Sequence, residues 1–170
     1  MLELLMYKEA ATYLPNLQKL QTLHLRTCIK LFRLPVEILN IKQLRHLLFT
    51  DMFRKGVGIR VPRGIGTLAN LQTCTGICSG PGIASELSSL TQLRELEVRE
   101  VSNDHAVLQF LPKLEHFTLW EAYQAKFIGK ESCEAGGFPK LEILIIASWN
   151  LVEWTEIVNG AFSKFKALSI

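Results

Sequence analysis

Apolar residues recur along this chain in a fixed local pattern, in which a short stretch alternates apolar and polar positions. The clearest copies run from Leu17 to Leu25 and from Leu87 to Val98. Alternation with a period of two predicts a β-strand that buries one face. Apolar residues three apart, just before this stretch, suit a turn of α-helix or 3₁₀ helix. Each copy therefore predicts one short strand that follows a turn.

The last core-facing position of each predicted strand marks the period of the pattern. These positions are Leu4, Leu25, Phe49, Gly76, Val98, Leu119, Ile146 and Ile170, and successive ones are 21 to 27 residues apart. Leucine-rich repeats have this length, about 20–29 residues. One repeat cannot bury its own apolar stripe, whereas stacked repeats bury a continuous one. The sequence thus predicts an α/β leucine-rich-repeat solenoid of about seven repeats, with a curved parallel sheet and a concave strand face.

The extent of the solenoid follows from the same pattern. Strands of one sheet are expected near Leu23, Leu47, Cys74, Leu96, Phe117, Leu144 and Leu168. The third should be the shortest, because Gly76 offers the core no side chain. The 170 residues are 48% hydrophobic and 21% charged, which suits a single domain over residues 1–170. Since both termini read as repeat strands and solenoids need polar capping repeats, we expect an uncapped fragment of a longer solenoid.

No segment of the sequence predicts a membrane span or an export signal. The longest uncharged apolar stretch, residues 143–152, has ten residues, and crossing a bilayer needs roughly 20. The start, Met1-Leu2-Glu3-Leu4, is acidic where a secretory leader would be basic. We therefore expect a cytoplasmic protein.

Cysteine and histidine are the first candidates for chemistry. Cys74 takes the place of a strand leucine and should face the core, and Cys28 falls at a repeat position that commonly holds Asn or Cys. Buried free cysteine behaves as a small hydrophobe, and no second ligand pair completes a zinc site with Cys74 and Cys78. Three histidines map to outward strand positions: His24, His46 and His116. With no phosphate-binding Gly-Lys-Ser/Thr loop either, we expect no metal, no cofactor and no enzymatic activity.

Charge divides the chain into two halves. Residues 1–85 contain 11 Lys and Arg against 4 Asp and Glu, whereas residues 86–170 contain 8 against 12. The basic residues at outward positions or in the connector after Phe49 are His24, Arg26, Arg45, His46, Arg54, Lys55, Arg60 and Arg63. Docking to an acidic protein surface is the favoured interpretation, and an ordinary solvated basic face is the alternative. Nucleic acid is the least favoured partner, because no aromatic residues are interleaved for base stacking.

The outward positions of the second half mix charge with apolar side chains. Trp120 follows Leu119 in the alternation, so it should be exposed on the concave face between Arg99 and Ala147. Aromatic and Arg side chains are enriched in interaction hot spots, although a Trp folded over its neighbours would only add stability. The predicted protein-binding residues are His24, Arg26, Arg45, His46, Arg94, Glu97, Arg99, Thr118, Trp120 and Ile145. The connector at residues 122–137 is the next candidate.

Three strings resemble the repeat domain of plant nucleotide-binding leucine-rich-repeat disease-resistance proteins, the coiled-coil subclass especially. They are Leu34-Pro-Val-Glu-Ile-Leu-Asn-Ile-Lys-Gln-Leu-Arg-His-Leu47, Val61-Pro-Arg-Gly-Ile-Gly-Thr-Leu-Ala-Asn-Leu-Gln72, and Phe138-Pro-Lys-Leu-Glu-Ile-Leu144 followed by Leu151-Val-Glu-Trp154. The resemblance covers essentially the whole chain. Cys74 and Gly76 depart from it in the third repeat.

The resemblance implies the protein-recognition and autoinhibitory module of a plant intracellular immune receptor. Its partners would be a pathogen effector or a guarded host protein, and the nucleotide-binding switch domain of the parent chain. The chain itself carries neither the phosphate loop nor the coiled coil. The alternative function is a generic leucine-rich-repeat scaffold or a substrate adaptor for ubiquitin ligation. A secreted receptor-like or inhibitor repeat is disfavoured by irregular repeat length and the missing export signal.

Overall fold

The computed structural model describes residues 16–26, 31–50, 58–78, 80–99, 108–120, 127–128, 134–147, 153–154 and 161–169. Its strands are β1 (Thr22–Arg26), β2 (His46–Thr50), β3 (Thr73–Cys78), β4 (Glu95–Arg99), β5 (His116–Trp120), β6 (Phe127–Ile128), β7 (Ile143–Ala147), β8 (Glu153–Trp154) and β9 (Ala167–Ser169). Helical segments are short: 3₁₀ helix at Val36–Asn40, Ile65–Thr67 and 108–110, and the helix α1 (Ile83–Leu87).

Seven of the described strands form one parallel sheet, in the order β1-β2-β3-β4-β5-β7-β9. Equivalent repeat positions face each other, so that Leu23 lies opposite Leu47 and Leu96 lies opposite Phe117. The predicted α/β leucine-rich-repeat sheet, with a strand at each of its seven expected positions, is confirmed. The strand predicted around Leu4 lies outside the described residues.

Alternate side chains of each strand enter a common core. In β2, Leu47 and Phe49 are buried, whereas His46 and Leu48 are half-buried on the other face. Burial stabilises each such leucine by about 1.5–3 kcal/mol relative to exposure. Because the neighbour of each buried residue is its equivalent in the next repeat, the core is one continuous stack along the sheet.

The chain enters six of the seven strands of this sheet through the same turn, built on two apolar residues three apart. The N–H of Leu44 donates to the Ile41 carbonyl at 3.0 Å, and the N–H of Leu71 donates to the Leu68 carbonyl at 2.9 Å. These four side chains are fully buried. Because the two apolar residues are three apart, the turn forms its backbone hydrogen bond while both side chains pack into the core.

One carbonyl per repeat ties that repeat to the next. The Gln21 carbonyl accepts hydrogen bonds from the N–H groups of Arg45 and His46, at 2.8 and 2.9 Å. The same two-donor contact recurs at the carbonyls of Arg45, Gln72, Arg94, Glu115 and Glu142. Because the donors always stand at the start of the next strand, this contact sets the register between repeats.

The short helical segments cover the core on the side away from the sheet. Their inward residues Ile38, Ile65 and Leu87 are fully buried in the same cluster. The Gly64 N–H, just before the second 3₁₀ segment, donates to the Glu86 carboxylate of α1 at 2.6 Å. Among the described helices, none is long and apolar enough to cross a membrane.

The prediction that the third strand is the shortest is wrong. β3 has six residues, more than any other described strand, whereas β9 has three. The register with β4 shifts between Cys74 and Ile77, so that Ile77 lies opposite Val98. An extra residue of this kind is a β-bulge. Ile77 is fully buried and fills the core position that Gly76 was expected to leave empty.

Gly76 is required by a close backbone contact. Its φ is +71°, and a Cβ at this position would lie 2.3 Å from the Phe49 carbonyl oxygen of β2. Beyond the bulge, β3 gains new partners: the Ile59 N–H donates to the Gly76 carbonyl, and the Cys78 N–H donates to the Ile59 carbonyl, each at 2.9 Å. The strand is therefore lengthened by pairing with the connector that follows β2.

Two phenylalanines join the last repeats of the sheet. The rings of Phe138 and Phe162 stack with centroids 5.2 Å apart, and Phe117 lies 5.9 Å from Phe138. Phe138 and Phe162 have φ values of +52° and +56°, which cost about 1–3 kcal/mol each in a bulky residue. Ring stacking between equivalent positions offsets part of this strain.

We expect Gly76→Ala to destabilise the chain by at least about 3 kcal/mol, because the new methyl group would overlap the Phe49 carbonyl and φ is positive. Urea unfolding followed by circular dichroism measures the loss. Gly82→Ala is the matched control, since φ is +78° but nothing lies within 4 Å of the added Cβ. It should cost about 1 kcal/mol, and equal losses in the two variants would contradict the contact.

Candidate functional site

The candidate site lies on the open face of the sheet, which is formed by the strand side chains that alternate with the core positions. Eight of the ten predicted binding residues occupy strand positions on this face: His24, Arg26, His46, Glu97, Arg99, Thr118, Trp120 and Ile145. The other two, Arg45 and Arg94, directly precede β2 and β4. None of the ten is buried in the core.

These residues form two separate areas. The basic area consists of His24, Arg26, Arg45 and His46, on β1 and at the start of β2. The Trp120 area consists of Glu97, Arg99, Thr118, Trp120 and Ile145, on β4, β5 and β7. Neighbouring strands are about 4.8 Å apart, so β2 and β4, the nearest strands of the two areas, are separated by about 10 Å. A protein surface is large enough to contact both areas at once.

Trp120 ends β5 with the neighbours expected from the sequence. Arg99 lies opposite it on β4, and Ala147 lies opposite it on β7. The residue is 39% exposed. The alternation of β5, with Phe117 buried and Leu119 partly buried, leaves the next side chain on the open face. The predicted exposure of Trp120 is therefore confirmed.

Arg99 lies beside the Trp120 ring and is itself bound to Glu97. Its Nε donates to Glu97 Oε1 at 2.9 Å, and its Nη2 lies 2.8 Å from the same oxygen. The guanidinium carbon is 6.0 Å from the centre of the Trp120 ring, within the range of a cation–π contact. The side chains of Arg99 and Glu97 are only 13% and 21% exposed. Arg99 thus acts mainly as a support, and Trp120 is the more accessible group.

β7 adds apolar surface beside Trp120. Ile143, Ile145 and Ala147 are its three open-face residues, and all are half-buried. Thr118 on β5 and Ser169 on β9 flank Ile145 in the register. An apolar strand face beside the charged Glu97–Arg99 pair has the composition of a protein-binding surface, which combines an apolar centre with a polar rim.

The basic area is more polar and more open. Arg26 Nε donates to His24 Nε2 at 3.3 Å, and His46 Nδ1 lies 3.1 Å from Thr73 Oγ1 on β3. Arg26 and Arg45 are exposed. The predicted members of the basic connector, Arg54 and Lys55, lie outside the described residues.

Sequence reasoning missed one open-face residue of the first half. Leu48 is half-buried between His24 on β1 and Thr75 on β3. The signal was the unbroken run Leu47-Leu48-Phe49, in which Leu48 interrupts the alternation of apolar and polar positions. Leu48 gives the basic area an apolar neighbour.

A row of paired charges runs just before the strands. Arg94 Nη1 contacts Glu115 Oε1 at 2.6 Å, and Lys166 Nζ contacts Glu142 Oε2 at 2.8 Å. The hydrogen bond from Lys166 keeps the pKa of the Glu142 carboxyl below its ordinary value. Such exposed pairs contribute little to stability, because solvent screens them. Arg94 is therefore already engaged by a carboxylate of its neighbouring repeat.

The two cysteines of the described part, Cys74 and Cys78, lie buried in the interior of the protein. Burial, with a smaller effect from the Glu97 charge, raises the pKa of Cys74 to about 12. Within the described ranges, no group of three His, Cys, Asp or Glu residues could hold a metal ion. Cys28 lies outside those ranges.

Comparison with known proteins agrees with the repeat architecture. A family model described as a leucine-rich repeat region matches residues 4–107, more than half of the chain. No curated protein matches the chain significantly. Beyond the matched segment, β5, β7 and β9 continue the same parallel sheet in register.

We expect Cys74 to resist alkylation in the folded chain, because a buried thiol with a raised pKa presents almost no thiolate. At pH 8, iodoacetamide should modify Cys74 at least about 100-fold more slowly than in the guanidinium-unfolded chain, which serves as the control. Peptide mass spectrometry measures the rate at this one cysteine. Modification of Cys74 at the unfolded rate in native buffer would contradict its placement in the core.

Proposed function

The chain belongs to the leucine-rich-repeat family, and we propose that it is the protein-recognition and autoinhibitory module of a plant intracellular immune receptor. In this role it acts in the cytoplasm, without catalysis, and senses a pathogen effector or a guarded host protein. The observation that carries recognition is the Trp120 ring, exposed on the open face beside an apolar strand. The strings at residues 34–47, 61–72 and 138–144 support the plant immune assignment.

The Trp120 area suits a protein partner rather than a small molecule. It is a strand face of a repeat sheet, and such faces form extended binding surfaces. The contacts from Arg99 restrict the ring before any partner arrives, which lowers the entropic cost of binding. Ile143 and Ile145 supply apolar contact area next to the ring. Together they resemble a hot spot, in which one aromatic anchor carries most of the binding energy.

The basic area suits the autoinhibitory contact. Arg26 and Arg45 are exposed, and the half of the chain that contains them has 11 basic against 4 acidic residues. We propose that this area holds the nucleotide-binding switch domain of the parent chain through an acidic surface of that domain. Nucleic acid is disfavoured, because the four side chains of the area include no Phe, Tyr or Trp ring for base stacking.

We expect Trp120→Ala to abolish the response to the recognised effector without lowering stability. Binding should weaken by about 30-fold or more, as for a hot-spot residue. The measurements are effector-dependent cell death in leaf tissue that expresses the full receptor, receptor accumulation, and the melting temperature of the chain. Phe110→Ala is the control, because Phe110 is an exposed aromatic residue, 59% accessible, outside the strands.

The two interpretations of Trp120 predict different results. If Trp120 serves recognition, the response is lost while accumulation and melting are normal, and Phe110→Ala behaves as the unmodified receptor. If the ring only covers its neighbours, the melting temperature falls first and the response persists at reduced receptor levels. A normal response from Trp120→Ala combined with Arg99→Ala would reject the Trp120 area as the recognition site.

We expect Arg26→Glu combined with Arg45→Glu to cause signalling without an effector, because the reversed charges repel the acidic surface of the switch domain. Binding between the separately expressed domains should weaken by about tenfold in the variant. It should also weaken with salt in the unmodified chain, since exposed charges are screened beyond about 10 Å at 0.1 M. Cell death without effector and titration calorimetry measure the two effects.

The control for this charge reversal is Lys140→Glu combined with Lys164→Glu. Both lysines are exposed and lie in the acidic half of the chain, and the net charge changes by the same amount. This control should remain silent without effector. Salt-independent binding, or equal autoactivation by the two double variants, would reject the proposed contact.

A further inference from the structure

A groove of about 830 Å³ lies where the chain leaves β1, β2 and β3. It is bounded by the connector segments 31–36, 60–63 and 78–86. Three successive repeats each contribute a proline to it, Pro35, Pro62 and Pro81. Proline has a fixed φ and no N–H group, so these walls are rigid and poor in donors. The groove is separate from the open face, since it is built from connectors.

Aliphatic side chains complete the apolar part of the groove. Leu31, Val36 and Val61 line it, and Val36 is 60% exposed. Isolated exposed apolar residues are common on protein surfaces, but Val36 belongs to a concave groove with further aliphatic side chains, and such a groove is typical of an interaction site.

Three arginines rim the groove without acidic partners. Arg33, Arg60 and Arg63 are exposed, and in the described part of the chain none of them forms an ion pair. Arg33 and Arg60 are paired across a parallel bridge, in which the Leu34 N–H donates to the Arg60 carbonyl at 2.8 Å. Paired parallel positions are about 4.8 Å apart, so two exposed basic residues are neighbours on the rim of the groove.

One acidic residue also lines the groove. Glu86 carries a carboxylate that accepts the Gly64 N–H at 2.6 Å, which fixes its position. Three arginines against one carboxylate leave the groove with a net positive charge over an apolar floor. Guanidinium groups bind carboxylates through two parallel hydrogen bonds, which makes a ligand with carboxylates the natural complement.

We infer that this groove binds an extended peptide segment of a partner protein, in which acidic residues alternate with apolar residues. Side chains of an extended peptide point alternately to opposite sides with a rise of about 3.3 Å per residue. Apolar side chains can then enter the proline-lined floor while carboxylates about 6.6 Å apart reach the arginines. Single-stranded nucleic acid fits poorly, because the described lining contains no aromatic side chain for stacking.

Fluorescence anisotropy on the whole 170-residue chain tests the groove. The probe is a labelled, blocked nonapeptide with Glu at alternate positions and Leu or Val between them. Its matched control has Gln in place of Glu. Arg33→Gln combined with Arg60→Gln removes the rim charge. Both side chains are exposed and lie outside the core, so this variant should fold like the unmodified chain. Arg26→Gln combined with Arg45→Gln makes the same charge change on the open face.

The acidic peptide should bind, and the Arg33 and Arg60 variant should bind it about tenfold more weakly. The Arg26 and Arg45 variant and Trp120→Ala should change binding by less than about twofold, which separates this site from the proposed recognition face. Equal loss in the two arginine variants would show general charge attraction and overturn the proposal. Equal binding of the Gln peptide, or displacement of the acidic peptide by lower concentrations of a single-stranded RNA oligonucleotide, would also overturn it.

Discussion

The structure depends on one backbone contact, in which the carbonyl before each strand accepts two N–H groups from the start of the next. Buried backbone groups must be paired, and this contact pairs them at the same place in every repeat. It therefore aligns equivalent residues of successive repeats in columns. The apolar side chains of the separate repeats then pack as one continuous core. The same columns carry the side chains of the open face. The same backbone register therefore determines both which side chains pack together in the core and which lie side by side on the open face.

The core restricts the residue types at the turn and core positions, whereas the residues of the open face and of the connectors can vary. The turn and core positions must stay apolar, because their neighbours in adjacent repeats are the same positions. Trp120 and Ile145 are not needed for that packing, so their side chains can be selected for a partner. The connectors vary more than the strands, since repeat lengths run from 21 to 27 residues. The arginine-rimmed groove lies between such connectors, which in the described residues are joined by backbone hydrogen bonds among residues 32–34, 59–60 and 76–78.

The parts of the structure that follow from periodicity could be predicted from the sequence. Leu47 and Leu96 lie on the core side because alternation decides it, and Trp120 has Arg99 and Ala147 as neighbours because the register is constant. The parts that depend on one particular contact could not. Gly76 was expected to shorten its strand, but its approach to Phe49 and the resulting bulge are specific to that pair. The partial burial of Arg99 and the groove likewise depend on side-chain and connector positions that no periodic pattern encodes.

The contact between Gly76 and Phe49 also bears on how this array could have changed in evolution. Repeat arrays lengthen and shorten by duplication or loss of whole units. At the junctions of β4 with β5 and of β5 with β7, the uninterrupted register would accept a duplicated unit. At the junction of β2 with β3, an inserted unit would separate Gly76 from the carbonyl it is shaped to approach. We therefore expect the second and third repeats to have been duplicated or lost together during evolution.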